Sequence, residues 1–173
     1  MTQIKPSPAA DWERRVAELL PVFGHRNWIV VADAAYPAQS SPGIETIVAD
    51  SDQIEVLRKV LSAISASKHI GANIFLDSEL KFVAEQDARG VSGYREQVEA
   101  LFAGSNLSRL PHEQIIARLD QSAQIFRILI IKTEMTIPYT SVFFELDCGY
   151  WNAKAEQRLR KTILKPEAQQ EQT

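Results

Sequence analysis

Four side chains that can transfer protons or bind hydroxyl groups, His25, Asp33, His112 and Tyr139, fall where predicted strands and helices end or begin. Histidine suits both halves of a proton transfer, because its ordinary pKa of about 6.5 lets it donate and accept near neutral pH. Taken singly, each of these residues has a plainer explanation, such as a surface histidine, or an aspartate that closes a turn. None of them indicates a function by itself.

The signatures of several other chemistries are missing from the sequence. It contains no G-x-G-x-x-G, no G-x-x-x-x-G-K-[ST], no H-E-x-x-H and no G-x-S-x-G, which argues against nucleotide-dependent transfer and common hydrolase mechanisms. His25, Asp33 and His112 are too scattered to form a metal-ligand motif, so we expect no metal. The single cysteine, Cys148, cannot form an internal disulfide, which favours a reducing cytoplasm.

The composition describes one ordinary globular domain. The chain has 173 residues, of which 45% are hydrophobic and 24% charged, and its net charge is −3. A weakly acidic protein lacks the basic field that drives nucleic-acid binding, so we expect no nucleic-acid partner. The apolar runs are too short for a signal peptide or a membrane span, and we expect no membrane partner and a cytoplasmic location.

Short apolar runs alternate with segments of helical periodicity. We predict strands at 28–32, 44–49, 73–76, 125–131 and 142–146, and helices starting near Asp11, Ser51 and Pro111, with a closing helix at 151–164. This order predicts an α/β fold, a three-layer α/β/α sandwich with a mixed, largely parallel sheet. Residues 1–10 are predicted to be a flexible arm, 11–164 a single domain and 165–173 a polar tail.

Several segments together resemble the ribose pyranase and fucose mutarotase family. Gly24-His25 precedes an apolar strand, and DAAYPAQS at 33–40 and IVAD at 47–50 follow it. The similarity continues with PHEQ at 111–114, Thr133-Glu134, Pro138-Tyr139 and DCG at 147–149. It covers about residues 12–151, nearly the whole folded region.

The resemblance implies an isomerase that interconverts anomers or ring forms of a free monosaccharide, fucose- or ribose-like, without cofactor, metal or covalent intermediate. It implies that His25 is the principal acid–base group, that Asp33 orients or stabilises it and that His112 shares the proton transfer or contacts the sugar. Tyr139 would bind a hydroxyl or act as a second acid. Arg26, Glu134 and Ser141 are further expected to bind substrate.

The sequence also departs from the family pattern. The family usually has Tyr-x-Asn where this chain has Tyr139-Thr140-Ser141, and this chain carries an insertion near 80–93 and a longer C-terminal helix. These changes leave open an alternative, a non-catalytic sugar-binding or sensor protein on the same scaffold. Family members assemble into ring-like homo-oligomers with sites near subunit interfaces, which implies self-association here.

Overall fold

A computed structural model describes residues 8–164 of the chain. The strands are β1 (Trp28–Ala32), β2 (Ile44–Val48), β3 (Ile70–Asp77), β4 (Leu107–Leu110), β5 (Ile128–Lys132) and β6 (Val142–Cys148). The helices are α1 (Pro8–Leu19), α2 (Gln53–Ala66), α3 (Val91–Leu101), α4 (His112–Ala123) and α5 (Ala153–Ile163), with short 3₁₀ helices at Leu20–Val22 and Ser78–Phe82.

The six strands form one mixed sheet in the order β2-β5-β1-β6-β3-β4. Only β6 runs antiparallel to its neighbours β1 and β3, whereas the pairs β1–β5, β2–β5 and β3–β4 are parallel. The predicted α/β class with a largely parallel sheet is therefore confirmed. Because the other five strands share one direction, their carboxyl ends, together with the start of β6, meet at a single edge, which we call the carboxyl edge.

The sheet is buried on both faces, as its continuous apolar strands require. Alternate residues of β1 point to opposite sides, Ile29 and Val31 into the core under α1, α2 and α3, and Trp28, Val30 and Ala32 into the core under α4. Three helices on one face and one on the other give the three-layer sandwich.

Two helix starts differ from the sequence prediction. The first helix begins at Pro8 rather than at Asp11, so residues 8–10 of the predicted arm belong to α1. The second is capped by Asp52 rather than by Ser51, because the Asp52 carboxylate accepts hydrogen bonds from the amides of Ile54 and Glu55. The rest of the predicted arm and the tail at 165–173 lie outside the described residues.

The sequence prediction also missed one strand and misplaced the starts of two others, since the strand predicted at 73–76 begins at Ile70. The edge strand β4 has only four residues, two of them exposed, so it carries little apolar signal. The strand predicted from residue 125 starts at Ile128, since residues 125–127 form the turn that leaves α4. Among the described residues, no helix is both long and apolar enough to cross a bilayer.

Candidate active site

A cavity of about 290 Å³ opens at the carboxyl edge, beside the ends of β1 and β3 and the start of β6. Ligand sites of open α/β sheets are expected at this edge. Four of the predicted site residues line the cavity together: Asp33, His112, Tyr139 and Ser141. Its other walls are Ala35, Tyr36, Pro37, Gln39, Asp77, Ile116 and Pro138.

The cavity contains a histidine–aspartate pair that the sequence analysis did not identify. His112 Nδ1 lies 3.0 Å from Oδ2 of Asp77, the last residue of β3. Asp77 is only 1% exposed, and its burial raises its pKa to about 6, although the charge and hydrogen bond of His112 act in the opposite direction. At neutral pH the ionised carboxylate therefore accepts the Nδ1 hydrogen and leaves Nε2 of His112 as the free acceptor.

The start of α4 fixes the backbone of His112. Both carboxylate oxygens of Glu79 accept the His112 amide hydrogen, at 3.0 and 3.1 Å. Glu79 belongs to the 3₁₀ helix that follows β3, so Asp77 and Glu79 hold the same histidine from one segment. This double attachment orients the imidazole before any ligand arrives.

Asp33 is held rigidly on the other side of the cavity. Its Oδ2 accepts a hydrogen bond from the Ser141 hydroxyl at 3.0 Å, and its Oδ1 accepts one from the Ala35 amide at 2.9 Å. Because Ser141 is buried, its hydroxyl serves mainly to hold the Asp33 carboxylate in place. The residue that stands where the family usually has asparagine thus positions the carboxylate.

Tyr139 adopts a strained backbone conformation at the mouth of the cavity. Its φ of 59° lies in the left-handed region that non-glycine residues rarely occupy. Its ring packs edge-on against His112, with ring centres 5.9 Å apart, and its side chain remains 40% exposed. The strain places a phenol beside the imidazole, where it can contact a bound molecule.

A buried polar network holds this strained turn from below. The Thr140 carbonyl accepts hydrogen bonds from Gln53 Nε2 and from the Tyr94 hydroxyl, the latter at 2.7 Å. Gln53 Oε1 lies 2.8 Å from the hydroxyl of Thr133, at the end of β5. Gln53, Tyr94, Thr133 and Thr140 are all buried, so these bonds are shielded from water and costly to break.

Two buried polar atoms at the cavity are unsatisfied. Within the described residues, Tyr36 Oη and Asp77 Oδ1 are the buried side-chain oxygens without a hydrogen-bond partner. Burial also raises the pKa of Tyr36 to about 12, so the phenol stays protonated. Unpaired buried polar groups cost stability and mark places where a ligand or water is expected.

His25 and Arg26 are not part of this cavity. β1 separates His25 from Asp33, and its five residues span about 16 Å. His25 Nδ1 instead lies 2.7 Å from Asp147 Oδ1, and Arg26 Nε donates to His25 Nε2. Both residues are exposed at the opposite, amino edge of the sheet. The predicted partnership of His25 with Asp33 is therefore wrong within one chain.

Glu134 also lies outside the cavity, contrary to prediction. The neighbouring Asp50 carboxyl raises the pKa of Glu134, because a proton shared between the two acids is favoured and their negative charges repel. These two residues follow β5 and β2, which are adjacent in the sheet, whereas the cavity is formed by β1, β6 and β3. The predicted site residues thus form three groups: the cavity, the amino edge and this carboxyl pair.

The third histidine, His69, has a structural role. Its Nε2 lies 3.1 Å from the carbonyl oxygens of both Leu20 and Phe23, and it ties the segment after α1 to the start of β3. The residue is half-buried. Residues 8–164 contain no group of three or more His, Cys, Asp or Glu that could hold a metal ion.

A signal for Asp77 was present in the sequence. The residue directly follows the strand predicted at 73–76, and acidic residues at the carboxyl ends of strands are site candidates in this fold class. The cavity therefore brings together one histidine, two carboxylates and two phenols around a space large enough for a small molecule.

Comparison with known proteins supports a family assignment. Residues 13–148 match the sequence family described as "RbsD / FucU transport protein family", which is well over half of the chain. A search of curated proteins finds no matching relative. Residues 149–173, which include α5, lie beyond the matched region.

Solved structures have the same fold at low sequence identity. Bacillus subtilis RbsD complexed with D-ribose matches with a TM-score of 0.56 and 17% identity, over 85% of this chain and 96% of that one. FucU from Bifidobacterium longum gives 0.52 and 15%, over 85% and 98%. The fucose mutarotase of Streptococcus pneumoniae in complex with L-fucose gives 0.50 and 20%, over 84% and 98%.

Proposed function

Because this chain belongs to the RbsD / FucU family, we propose that it is an isomerase that interconverts anomers or ring forms of a free monosaccharide. The observation that carries the proposal is the His112–Asp77 pair, 3.0 Å apart in a cavity shared with Asp33 and Tyr139. The ribose and fucose complexes of the structural neighbours make ribose- and fucose-like sugars the first candidates.

The proposed reaction needs only proton transfer. One group removes the proton of the anomeric hydroxyl, another donates a proton to the ring oxygen, and the bond between the anomeric carbon and the ring oxygen breaks. The open aldehyde closes again on its other face to give the other anomer, or through a different hydroxyl to give another ring size. No proton or electron is consumed, and acid–base catalysis by positioned groups contributes about 10²- to 10⁴-fold.

The residues of the cavity fit these roles. His112 accepts the anomeric proton at Nε2, while the Asp77 carboxylate stabilises the imidazolium that forms. Tyr139 binds a sugar hydroxyl and can donate a proton towards the ring oxygen, because a phenol is both donor and acceptor. Asp33, fixed by Ser141 and Ala35, accepts hydrogen bonds from sugar hydroxyls.

His25 belongs to the proposed site only through a second copy of the chain. The residue is exposed at the amino edge, so a head-to-tail contact between the amino edge of one copy and the carboxyl edge of the next would bring it to the cavity. Such heterologous contacts close into rings when the rotation allows. The positive φ of 74° at the neighbouring Arg26 supports a functional role for this turn.

The alternative is a sugar-binding protein without turnover, and one experiment separates the two. Saturation-transfer NMR of anomeric and ring-form exchange is measured with ribose, fucose, galactose and rhamnose. Accelerated exchange of one sugar supports the isomerase and identifies its substrate. A sugar that binds, by line broadening or calorimetry, but exchanges at the buffer rate supports the binding protein. The absence of both binding and acceleration for every sugar would contradict the proposed function.

A further inference from the structure

The C-terminal helix α5 has little packing against the rest of the described chain. None of its residues, Ala153–Ile163, is buried. Isolated helices shorter than about 12 residues are marginal in water, and α5 has only 11. Its start is nevertheless well formed, because Asn152 caps it through the Ala155 amide and Trp151 Nε1 donates to Glu156. A short helix that buries none of its residues needs contact with another surface to stay ordered.

One face of α5 is apolar and exposed. Leu159 and Ile163 lie one helical turn apart and are 42% and 62% exposed, and Leu164 directly after the helix is 79% exposed. Tyr150 and Trp151 add exposed aromatic surface at its base. An exposed apolar helix face flanked by charged side chains is typical of a binding interface.

The charge of α5 is opposite to that of the body. The helix has four basic residues (Lys154, Arg158, Arg160, Lys161) and one acidic residue (Glu156), a net charge of +3. Residues 1–152 have 14 basic and 19 acidic residues, a net charge of −5. Two α5 helices would therefore repel each other, whereas α5 and the body of another copy attract.

The carboxyl edge offers a surface of matching chemistry. Asp50 and Glu134 are neighbouring, exposed acidic residues, and neither forms a salt bridge with a basic side chain within residues 8–164. Val48, two residues before Asp50, is 65% exposed on the edge strand β2. α5 leaves from the amino edge, because Gly149 after β6 packs against the backbone of Ile70 at the start of β3.

We propose that α5 docks on the carboxyl edge of a second copy of this chain, with Leu159 and Ile163 against Val48 and its basic residues beside Asp50 and Glu134. The proposal uses the same head-to-tail placement as the proposed function and rests on it to that extent. Its test is a measurement of mass and needs no sugar, so the two can fail separately.

The test compares two substitutions that each add one negative charge to α5. Leu159→Glu lies on the apolar face and Gln157→Glu on the opposite face, and both positions are exposed, so folding is retained. We expect native mass spectrometry and light scattering of the full chain to show an oligomer whose dissociation constant rises at least about tenfold in Leu159→Glu, because a leucine contact is lost. Gln157→Glu should stay within about twofold of the wild type.

A pair of charge-reversal substitutions tests whether the basic residues of α5 lie beside Glu134 of another copy. Glu134→Lys should weaken the assembly, and adding Arg158→Glu to it should restore part of the loss. Hydrogen exchange of residues 153–163 should be slow in the wild type and fast in Leu159→Glu.

Four results would overturn the proposal. They are a wild-type monomer at 100 µM (about a hundredfold above a micromolar dissociation constant), an unchanged mass in Leu159→Glu, no effect of Glu134→Lys, and a monomer that binds phosphatidylserine vesicles through α5. The last result would identify an anionic membrane surface as the occupant instead.

Discussion

Asp77 lies beneath His112, with its Oδ2 3.0 Å from the imidazole Nδ1 and its own side chain closed to solvent. The end of β3 supplies the carboxylate and the start of α4 supplies the imidazole, so the short edge strand β4 and its two connections bring the pair together. A buried carboxylate that orients a histidine is the arrangement by which a neutral imidazole becomes an effective base.

Asp77→Asn should lower the catalytic rate without lowering the stability of the fold. The amide oxygen can still accept the Nδ1 hydrogen, but the charge that stabilises the imidazolium is lost, so kcat should fall by about 10- to 100-fold with KM changed little. The measurement is exchange NMR over a range of sugar concentrations. A change confined to KM would assign Asp77 to sugar binding instead.

The same variant should be more stable than the wild type at neutral pH. The pKa of Asp77 is raised from 3.8 to about 6 in the folded protein, so the unfolded chain loses this proton first as the pH rises. The stability contributed by the protonated form is present below about pH 4 and is lost as the pH rises to about 6. The free energy of unfolding of Asp77→Asn should therefore rise above that of the wild type between about pH 4 and pH 6, by at most about 3 kcal/mol. Chemical denaturation at pH 3.5 and 7.5 measures it, and an equal difference at both values would contradict the assignment.

If His25 serves the cavity of a neighbouring copy, His25→Ala and Asp33→Asn should each lower activity, and mixing the two variants should restore part of it. His25→Ala keeps the cavity and lacks the amino-edge group, whereas Asp33→Asn keeps His25 and lacks the cavity carboxylate. In randomly mixed head-to-tail assemblies, about a quarter of the contacts join an intact His25 to an intact Asp33. Exchange NMR after subunit exchange should show about that fraction of wild-type activity. No recovery, in assemblies shown by mass to contain both variants, would contradict the shared site.

Ser141→Ala should loosen Asp33. The substitution removes the hydroxyl that lies 3.0 Å from Asp33 Oδ2, and the loss of a hydrogen bond to a charged group costs about 1.5–3 kcal/mol. We expect a lower unfolding midpoint and a KM raised several-fold, because the carboxylate that binds sugar hydroxyls is no longer fixed. Denaturation and the NMR assay measure the two effects. Ser40→Ala, at an exposed position, is the matched control and should change neither.

Tyr94→Phe tests the network under the strained turn. It removes the hydroxyl that donates to the Thr140 carbonyl at 2.7 Å but keeps the packed ring. The expected cost is about 1–3 kcal/mol of stability, since Gln53 then loses a buried partner as well. Because Tyr139 sits on the same turn, the rate should fall too. Wild-type activity together with reduced stability would show that the network supports the fold alone.

Most of the fold could be predicted from the sequence because the core strands are continuous apolar segments. The strand at 28–32 is buried at every position, and such runs indicate strands covered on both faces. β4 could not be predicted, because two of its four residues are exposed and it pairs only along the sheet edge. Helix caps were misplaced by one to a few residues, as with Asp52, because neighbouring polar residues compete for the same role.

The site could be predicted only in part. The partnership of His25 with Asp33 was implied by the family resemblance, although the predicted strand at 28–32 lies between the two residues. Four of the predicted site residues, Asp33, His112, Tyr139 and Ser141, line one cavity. His25 precedes β1 and Asp33 follows it, so a five-residue strand separates two residues that are only eight positions apart. Asp77 was missed because the pairing of β3 with the unpredicted strand β4, which sets it opposite Leu110 and beside the start of α4, could not be foreseen.

The central claim is that the cavity around His112 opens and closes the sugar ring, and His112→Gln tests it most directly. Glutamine keeps a polar side chain at the start of α4 but cannot transfer a proton at neutral pH. For the sugar that the wild type accelerates, saturation-transfer NMR at equal protein concentrations should show exchange reduced at least about 100-fold, towards the buffer rate, with sugar binding retained. An exchange rate equal to that of the wild type would contradict the claim and place the catalytic group elsewhere.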